Sequence, residues 1–193
     1  MPIRSRDERA QVLLFTGHMI DAPGRDQPRF PADQAEVARL AIRETVEAER
    51  QRPGGVAFGI AGGASGGDIL FHEVCAELRI PTRLYLVLPS SQYKTQSVEP
   101  AGGDWAERFD RLAANLPVRV RAESDERDDG IWQRANLWML HDALAAGGEN
   151  VTLIALWDTQ EGDGPGGTGD LVQRAREAGA RTIILDTKKL FGV

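Results

Sequence analysis

Short apolar runs alternate with longer amphipathic segments along almost the whole chain, and this alternation restricts the fold more than any other feature of the sequence. The apolar runs predict strands at residues 12–16, 56–60, 83–88, 118–121, 151–157 and 182–185. The segments with a helical apolar stripe predict helices at residues 32–51, 69–78, 105–116, 131–146 and 171–178. Continuous apolar strands are buried on both faces, which is typical of parallel sheets covered by helices.

The predicted fold class is therefore α/β: a Rossmann-like three-layer sandwich with a mostly parallel sheet and helices on both faces. There is no internal repeat and no linker, so residues 1–193 are expected to form a single domain. In open sheets of this kind, ligands bind beyond the carboxyl ends of the strands, at the point where the strand order reverses. We therefore expect the site on the loops that follow the first, second and fifth predicted strands.

Composition limits the possible partners. The net charge of −6 disfavours general nucleic-acid binding, which needs a basic face to displace counterions. No apolar run approaches the ~20 residues that span a bilayer, and the charged start of the chain lacks the apolar segment of a signal peptide. The single cysteine, Cys75, fits a reducing cytoplasm, and the scattered histidines suggest no metal site. We expect a cytoplasmic protein without nucleic-acid, membrane or metal partners.

A glycine-rich loop, residues 62–68, follows the second predicted strand and leads directly into a helix. Its candidate phosphate-binding residues are Gly62, Gly63, Ser65, Gly66, Gly67 and Asp68. Glycines allow backbone N–H groups to approach an anion closely, and a helix N-terminus adds positive partial charge. The alternative is a tight turn in which Asp68 caps the helix. Asp68 stands where a P-loop requires lysine, and the G-x-G-x-x-G spacing is absent, so Walker-type ATP hydrolysis and an ordinary NAD dehydrogenase are both disfavoured.

A second glycine-rich loop, residues 162–170, follows the fifth predicted strand and again precedes a helix. Its candidate phosphate-binding residues are Gly166, Gly167, Thr168 and Gly169. The Thr168 hydroxyl can cap the helix or donate a hydrogen bond to a phosphate. A flexible surface loop is the alternative, but two such loops at one edge of one sheet favour a phosphate site.

Further candidates lie after the first predicted strand. Gly17 allows close backbone approach, and His18 can contact a ligand or act in catalysis, although a lone histidine more often has a structural role. Arg25 and Arg29 lie on a loop that is long enough to act as a lid, where they either contact an anion or stay solvated. Lys94, in the polar loop predicted after the third strand, has the same two interpretations.

Taken in order, segments of this sequence resemble the SLOG superfamily. The matching segments are Thr16-Gly17-His18, residues 62–68, Asn136-Leu137-Trp138-Met139 and Pro165-Gly166-Gly167-Thr168-Gly169. The superfamily includes LOG-type nucleoside-monophosphate phosphoribohydrolases, DprA-like proteins, molybdenum-cofactor carriers and the ADP-ribose-sensing domains of some channels and bacterial defence proteins. The resemblance spans almost the whole chain and implies a Rossmann-like fold that binds nucleotides or nucleotide-derived signals. It adds Arg134 and Asn136 to the candidate anion contacts.

The sequence departs from the enzymatic branch of that superfamily. LOG-type enzymes carry P-G-G-x-G-T-x-x-E, whose glutamate serves N-glycosidic cleavage; here Asp170 replaces the threonine and Gln173 replaces the glutamate. A glutamine side chain cannot exchange a proton or stabilise an oxocarbenium-like centre as a carboxylate does. Arg134 lies two places before Asn136, where related members have the two residues adjacent, and each residue is ~100° around a helix.

The leading expectation is therefore a domain that binds or senses a nucleotide-derived ligand and requires no cofactor. The ligand would be an ADP-ribose derivative, a cyclic nucleotide or a nucleoside monophosphate. The alternatives are a nucleotide N-glycosidic hydrolase that uses His18, Asp68 or Asp170, a molybdenum-cofactor carrier, and a purely structural module. A homodimer, or a fused or separate effector partner, is compatible with the resemblance.

Overall fold

The computed structural model describes residues 10–121, 130–145, 147–160 and 167–192, which contribute to one six-stranded sheet. Its strands are β1 (Gln11–Gly17), β2 (Val56–Ala61), β3 (Thr82–Leu86), β4 (Val118–Val120), β5 (Val151–Trp157) and β6 (Arg181–Asp186). The strand order is β4-β3-β2-β1-β5-β6, and every neighbouring pair is parallel. The predicted α/β class is confirmed, and the described sheet is parallel throughout rather than mostly so.

Helices connect the strands. They are α1 (Ala35–Arg50), α2 (Gly67–Glu77), α3 (Ser90–Ser97), α4 (Trp105–Asn115), α5 (Ile131–Leu144), α6 (Thr168–Glu177) and α7 (Thr187–Phe191). The polar segment after β3 is thus a helix, not the loop that its composition indicates. It buries only Tyr93 and Ser97, so no apolar stripe marks it in the sequence. Within the described ranges, no helix combines the length and the apolar character that crossing a membrane requires.

Alternate residues of β1 face two separate cores, which explains the continuous apolar run of this strand. Leu13 and Phe15 pack in the core that contains α1, α2 and α4, whereas Val12 and Leu14 pack in the core that contains α5 and α6. All four side chains are almost completely buried. Because each face of the sheet is covered by helices, the predicted three-layer sandwich is confirmed.

The strand order reverses next to β1. From β1 the chain moves outward through β2 and β3 to β4, and it then returns to place β5 on the other side of β1. The loops that leave β1 and β5 therefore separate at the carboxyl edge of the sheet, and a crevice forms between them. Beyond β1, His18 N–H still donates to the Leu156 carbonyl at 2.9 Å, and Met19 forms an isolated bridge with Gly66. These contacts connect the first loop to β5 and to the glycine-rich loop of residues 62–68.

Candidate functional site

A cleft of about 540 Å³ opens at the carboxyl edge of the sheet, where the strand order reverses. Its wall contains residues from the end of β1, the loops that follow β1 and β2, helices α3 and α5, and the start of α6. Nine of the candidate residues line it: Gly17, His18, Arg25, Arg29, Gly62, Asp68, Asn136, Gly167 and Thr168. The expected location of the site thus coincides with a cleft that is large enough for a small organic ligand.

The other candidates lie elsewhere. Among the described residues, the cleft wall does not include Gly63, Ser65, Gly66, Gly67, Arg134, Gly169 and Asp170. Gly166 falls outside the described residues, as does the rest of the second glycine-rich segment before Gly167. Lys94 lies on α3 and directs its ammonium to Asp110 at 2.6 Å rather than into the cleft.

In the loop of residues 62–68, protein groups accept hydrogen bonds from several backbone amides. Gly63 N–H donates to the Tyr93 hydroxyl at 3.1 Å, and Ala64 N–H donates to Oδ2 of Asp68 at 3.3 Å. Burial, together with the nearby Asp68 carboxyl, raises the pKa of Tyr93, so its hydroxyl stays protonated. The amides of Gly63 and Ala64 therefore already have partners inside the protein.

Two further amides of the same loop have backbone partners. Ser65 N–H donates to the Ser97 carbonyl at 2.9 Å, and Gly67 N–H donates to the His18 carbonyl at 3.2 Å. The first bond holds the loop against α3, and the second holds it against the end of β1. The loop is therefore a fixed part of the cleft wall.

Close packing explains several glycines of this loop. A Cβ atom at Gly62 would lie 2.6 Å from Oδ2 of Asp68 and 3.0 Å from the Tyr93 hydroxyl. At Gly63 it would lie 2.9 Å from both Leu84 Cδ1 and Phe109 Cε2. Gly66 has a φ of +93°, a conformation that L side chains rarely adopt. These positions require glycine for steric reasons, independent of any ligand.

His72, on α2, holds the first residue of this loop in place. It is completely buried, and its Nε2 lies 2.9 Å from the Gly62 carbonyl while its Nδ1 lies 2.8 Å from the Thr82 hydroxyl. Because a carbonyl only accepts, Nε2 carries the proton and Nδ1 accepts from Thr82. Burial lowers the pKa of His72 to about 4, although the backbone carbonyls around it favour the charged form. His72 is therefore a neutral positioning residue near neutral pH.

Asp68 lies on the first turn of α2 with part of its surface open to the cleft. Gly66, not Asp68, occupies the cap position of this helix, so the alternative interpretation of Asp68 as the cap is wrong. Burial raises the pKa of Asp68 to about 7, against the opposing effect of the Ala64 N–H. This carboxyl can therefore gain or lose a proton near neutral pH, a property common among functional carboxyls.

The loop between β1 and α1 is folded onto Asp21. Oδ2 of Asp21 accepts from the N–H groups of Arg29 and Phe30, each at 2.8 Å, and Asp21 N–H donates to the Phe30 carbonyl. The Phe30 side chain is fully buried and stacks on Phe191. The loop is thus anchored at both ends, and it brings Arg25 and Arg29 to the cleft wall.

Asp158 is a functional candidate that the sequence analysis missed. It lies directly after β5 and is 4% exposed. Its N–H donates to His18 Nε2 at 3.1 Å, its Oδ1 lies 3.2 Å from the same atom, and its Oδ2 lies 3.4 Å from Arg29 Nε. Burial opposes ionisation, but the Gln160 N–H, His18 and Arg29 hold the pKa of Asp158 below its ordinary value. A carboxylate at the carboxyl end of a buried strand was the signal available in the sequence.

Asp158 therefore fixes both His18 and Arg29 at the reversal point. The next residue, Thr159, has a φ of +57°, which is an uncommon and strained conformation for a β-branched residue.

At the start of α6, Gly167 and Thr168 line the cleft. The first N–H groups of a helix have no acceptor within the helix, and its N-terminus carries positive partial charge. A Cβ at Gly169 would lie 3.1 Å from the Trp157 ring, so this glycine allows α6 to pack against the end of β5.

Two polar residues of α6, Asp170 and Gln173, do not line the cleft. Asp170 pairs with Arg174, both oxygens lying 3.0 Å from Nε, and Gln173 donates to Glu177 at 2.8 Å along the helix surface.

An aromatic side chain completes the wall. Trp132, on the first turn of α5, is 39% exposed and makes an edge contact with Tyr93 at 5.8 Å between ring centroids. Asn136, one turn further along α5, lines the same cleft. Tyr93 in turn stacks on Phe109, so the aromatic wall is fixed from behind. The described residues contain no group of three or more histidine, cysteine, aspartate or glutamate side chains arranged to hold a metal ion.

Comparison with known proteins supports the fold. No family model matches the chain, and no curated protein matches it. A solved structure of DNA processing protein A (DprA) from Streptococcus pneumoniae is similar, with a TM-score of 0.52 and 13% sequence identity. The match covers 94% of this chain but only 54% of the other, so the chain spans about half the length of that protein. This likeness shows a Rossmann-like fold of the DprA kind.

Proposed function

We propose that the cleft binds a nucleotide-derived ligand and that the chain is a member of the SLOG superfamily. One observation carries this proposal. Two arginines, the N-terminus of α6 and the exposed Trp132 all line the cleft at the point where the strand order reverses. Cationic groups and a helix N-terminus suit phosphate, and an aromatic face suits a base. The ligands that fit are an ADP-ribose derivative, a cyclic nucleotide and a nucleoside monophosphate.

The phosphate end of the ligand is assigned to the β1 and α6 side of the cleft. Arg25 and Arg29 line the wall there, together with Gly167 and Thr168. The loop of residues 62–68 is less suitable because protein groups already accept from its amides at Gly63 and Ala64. Asp158 fixes Arg29 in place, so part of the entropy cost of ordering this side chain is met before the ligand binds.

Calorimetry and thermal shift test this proposal with ADP-ribose, AMP, cyclic ADP-ribose forms and cyclic dinucleotides. A ligand at one hundred times its dissociation constant should stabilise the protein by about 2.7 kcal/mol. Arg25→Gln should weaken binding roughly tenfold to a hundredfold because a charge-assisted hydrogen bond is lost. Arg111→Gln, an exposed arginine on α4, is the matched control and should bind as the unchanged protein does. If no ligand of the series binds, or if both variants bind equally, the proposal fails.

A second candidate function is hydrolysis of a nucleotide N-glycosidic bond. Asp68 favours it, because a carboxyl that is open to the cleft and titrates at about 7 can serve as a general acid or base. Chromatography of each stabilising ligand after incubation distinguishes the two functions. Release of a free base that is lost in Asp68→Asn would establish the hydrolase, and an intact ligand would establish a binding domain.

A nucleic-acid ligand is the competing assignment that the structural likeness raises, since the similar protein is named for DNA processing. The net charge of −6 favours a small ligand over a polyanion for this chain. An electrophoretic mobility assay with single- and double-stranded DNA, repeated at two salt concentrations, separates the assignments. A complex that forms with DNA and excludes the nucleotide would favour DNA.

A further inference from the structure

Asp68 is a carboxyl with unused hydrogen-bonding capacity at the cleft wall. Its Oδ2 accepts from Ala64 N–H at 3.3 Å, which is the single hydrogen bond it makes to the part of the chain that the structure describes. The residue lines the cleft, and part of it remains accessible. A carboxyl group has about four acceptor positions, so most of the acceptor capacity of Asp68 has no donor among the described residues.

No cation of the described cleft wall pairs with Asp68. Arg25 lies 3.5 Å from Oδ1 of Asp21, and Arg29 lies 3.4 Å from Oδ2 of Asp158, so both arginines have acidic partners other than Asp68. An anionic group of a ligand next to Asp68 would meet a carboxyl and loop amides whose donors are already used. This end of the cleft therefore suits a neutral hydrogen-bond donor, such as a hydroxyl group.

The aromatic wall connects Asp68 to the position assigned to a base. The Tyr93 hydroxyl and Oδ2 of Asp68 both lie within 3.0 Å of the point where a Cβ of Gly62 would stand. The Tyr93 ring also contacts the edge of Trp132. In a nucleoside the sugar is bonded directly to the base, so a base on Trp132 leaves the sugar beside Tyr93 and Asp68.

We propose that Asp68 accepts hydrogen bonds from the sugar hydroxyls of the bound nucleotide, so that the cleft selects ribonucleotides over deoxyribonucleotides. This inference rests on the proposed function, and it adds the sugar class of the ligand. A site built to accept from a hydroxyl discriminates strongly against the analogue that lacks it, because a polar group is then left without its partner. Gly62 has a specific part in this arrangement: any side chain there would displace the Asp68 carboxyl.

The test is calorimetry of AMP, 2′-deoxy-AMP and 3′-deoxy-AMP with the unchanged protein, which requires no variant to fold. At least one deoxy analogue should bind roughly tenfold or more weakly than AMP. Asp68→Ala should bring the three affinities together, whereas Arg25→Gln should weaken all three by a common factor and keep their ratio. Asp110→Ala removes an exposed carboxylate on α4 and is the control. It should change neither the three affinities nor their ratio.

The outcomes separate the two proposals. Equal binding of all three nucleotides by the unchanged protein would overturn the sugar assignment and leave the proposed function intact. A ratio that persists in Asp68→Ala would assign the discrimination to another residue and also overturn the inference. If AMP and both deoxy analogues fail to bind while ADP-ribose binds, the inference fails and the proposed function stands. If no ligand of the wider series binds either, both fail.

Discussion

The two glycine-rich segments both precede a helix at the same edge of the sheet, and they contribute differently to the cleft. In the loop of residues 62–68, amides at Gly63 and Ala64 donate to side chains of the protein, and a Cβ at Gly63 would enter the core. At the start of α6, Gly167 and Thr168 line the cleft with the N-terminus of a helix. The first segment forms part of the cleft wall, and the second places the positive end of a helix at the cleft.

This contrast shows that glycine enrichment at the edge of a parallel sheet has two separate physical causes. One cause is space, because strands, helices and aromatic rings approach too closely for a Cβ. The other cause is access, because an anion must reach backbone N–H groups. The hydrogen-bond partners of the amides distinguish the two causes, and those partners come from distant parts of the sequence.

The largest expected effect compares one glycine from each segment. Gly63→Ala places a Cβ 2.9 Å from Leu84 and Phe109 in the core, and such overpacking costs about 1–3 kcal/mol. At roughly 2–4 °C for each kcal/mol, a clear fall of the melting temperature follows. Gly169→Ala meets the half-buried Trp157 ring at 3.1 Å, a contact that needs a shift of only a few tenths of an ångström, so its effect should be smaller.

Scanning calorimetry of both variants checks this pair. A greater loss of stability for Gly169→Ala than for Gly63→Ala would show that the start of α6 is packed more tightly than the first glycine-rich loop.

An intermediate effect concerns the charge of Asp68. Its pKa is about 7 in the folded protein, above the ordinary value of 3.8, so the folded state holds the proton more tightly. Stability from this group is complete below pH ~4 and is lost as pH rises through 7. Asp68→Asn removes the loss, so it should be more stable than the unchanged protein at pH 8, by about 1–2 kcal/mol, and similar near pH 4.

Urea denaturation at pH 4.5 and pH 8 measures this difference. His72 also titrates in this range, because its pKa is lowered to about 4. It is present in both proteins, so its contribution cancels from the comparison. A variant that is less stable than the unchanged protein at pH 8 would show that the Asp68 carboxylate is favourably solvated by the loop.

The smallest effect is expected at Lys94. Its ammonium pairs with Asp110 at 2.6 Å on the surface, and such exposed ion pairs contribute less than about 1 kcal/mol. Lys94→Gln should therefore leave both stability and nucleotide affinity nearly unchanged, in contrast to Arg25→Gln. Calorimetric titration of the two variants with ADP-ribose makes the comparison. A large loss of affinity in Lys94→Gln would move the phosphate end of the ligand toward α3.

Much of this organisation could be predicted from the sequence. The apolar runs located every strand of the described sheet. Burial on both faces leaves little choice of residue in β1 and β5, and the reversal rule located the cleft. Helix α3 was missed because it buries only Tyr93 and Ser97 and has no apolar stripe. Its Tyr93 hydroxyl then accepts from Gly63, a contact that spans thirty residues and leaves no local pattern.

Asp158 was missed for a similar reason, because its contacts also join distant parts of the sequence. A single aspartate after a strand is common, and its meaning depends on His18, which lies 140 residues earlier in the chain. Composition and spacing identified the residue types that a phosphate site uses. They could not show which N–H groups and arginines already have partners inside the protein, because those partners are set by the packing of distant segments.

The most direct test is a crystal structure of the protein with ADP-ribose bound. The expected structure has a phosphate beside Arg25, Arg29 and Thr168, a base against Trp132 and a sugar hydroxyl within hydrogen-bond distance of Asp68. A phosphate on the amides of residues 62–67, with Asp68 and Tyr93 displaced from Ala64 and Gly63, would contradict it. That result would show that the first glycine loop opens to bind the anion and that its closed form is an empty state.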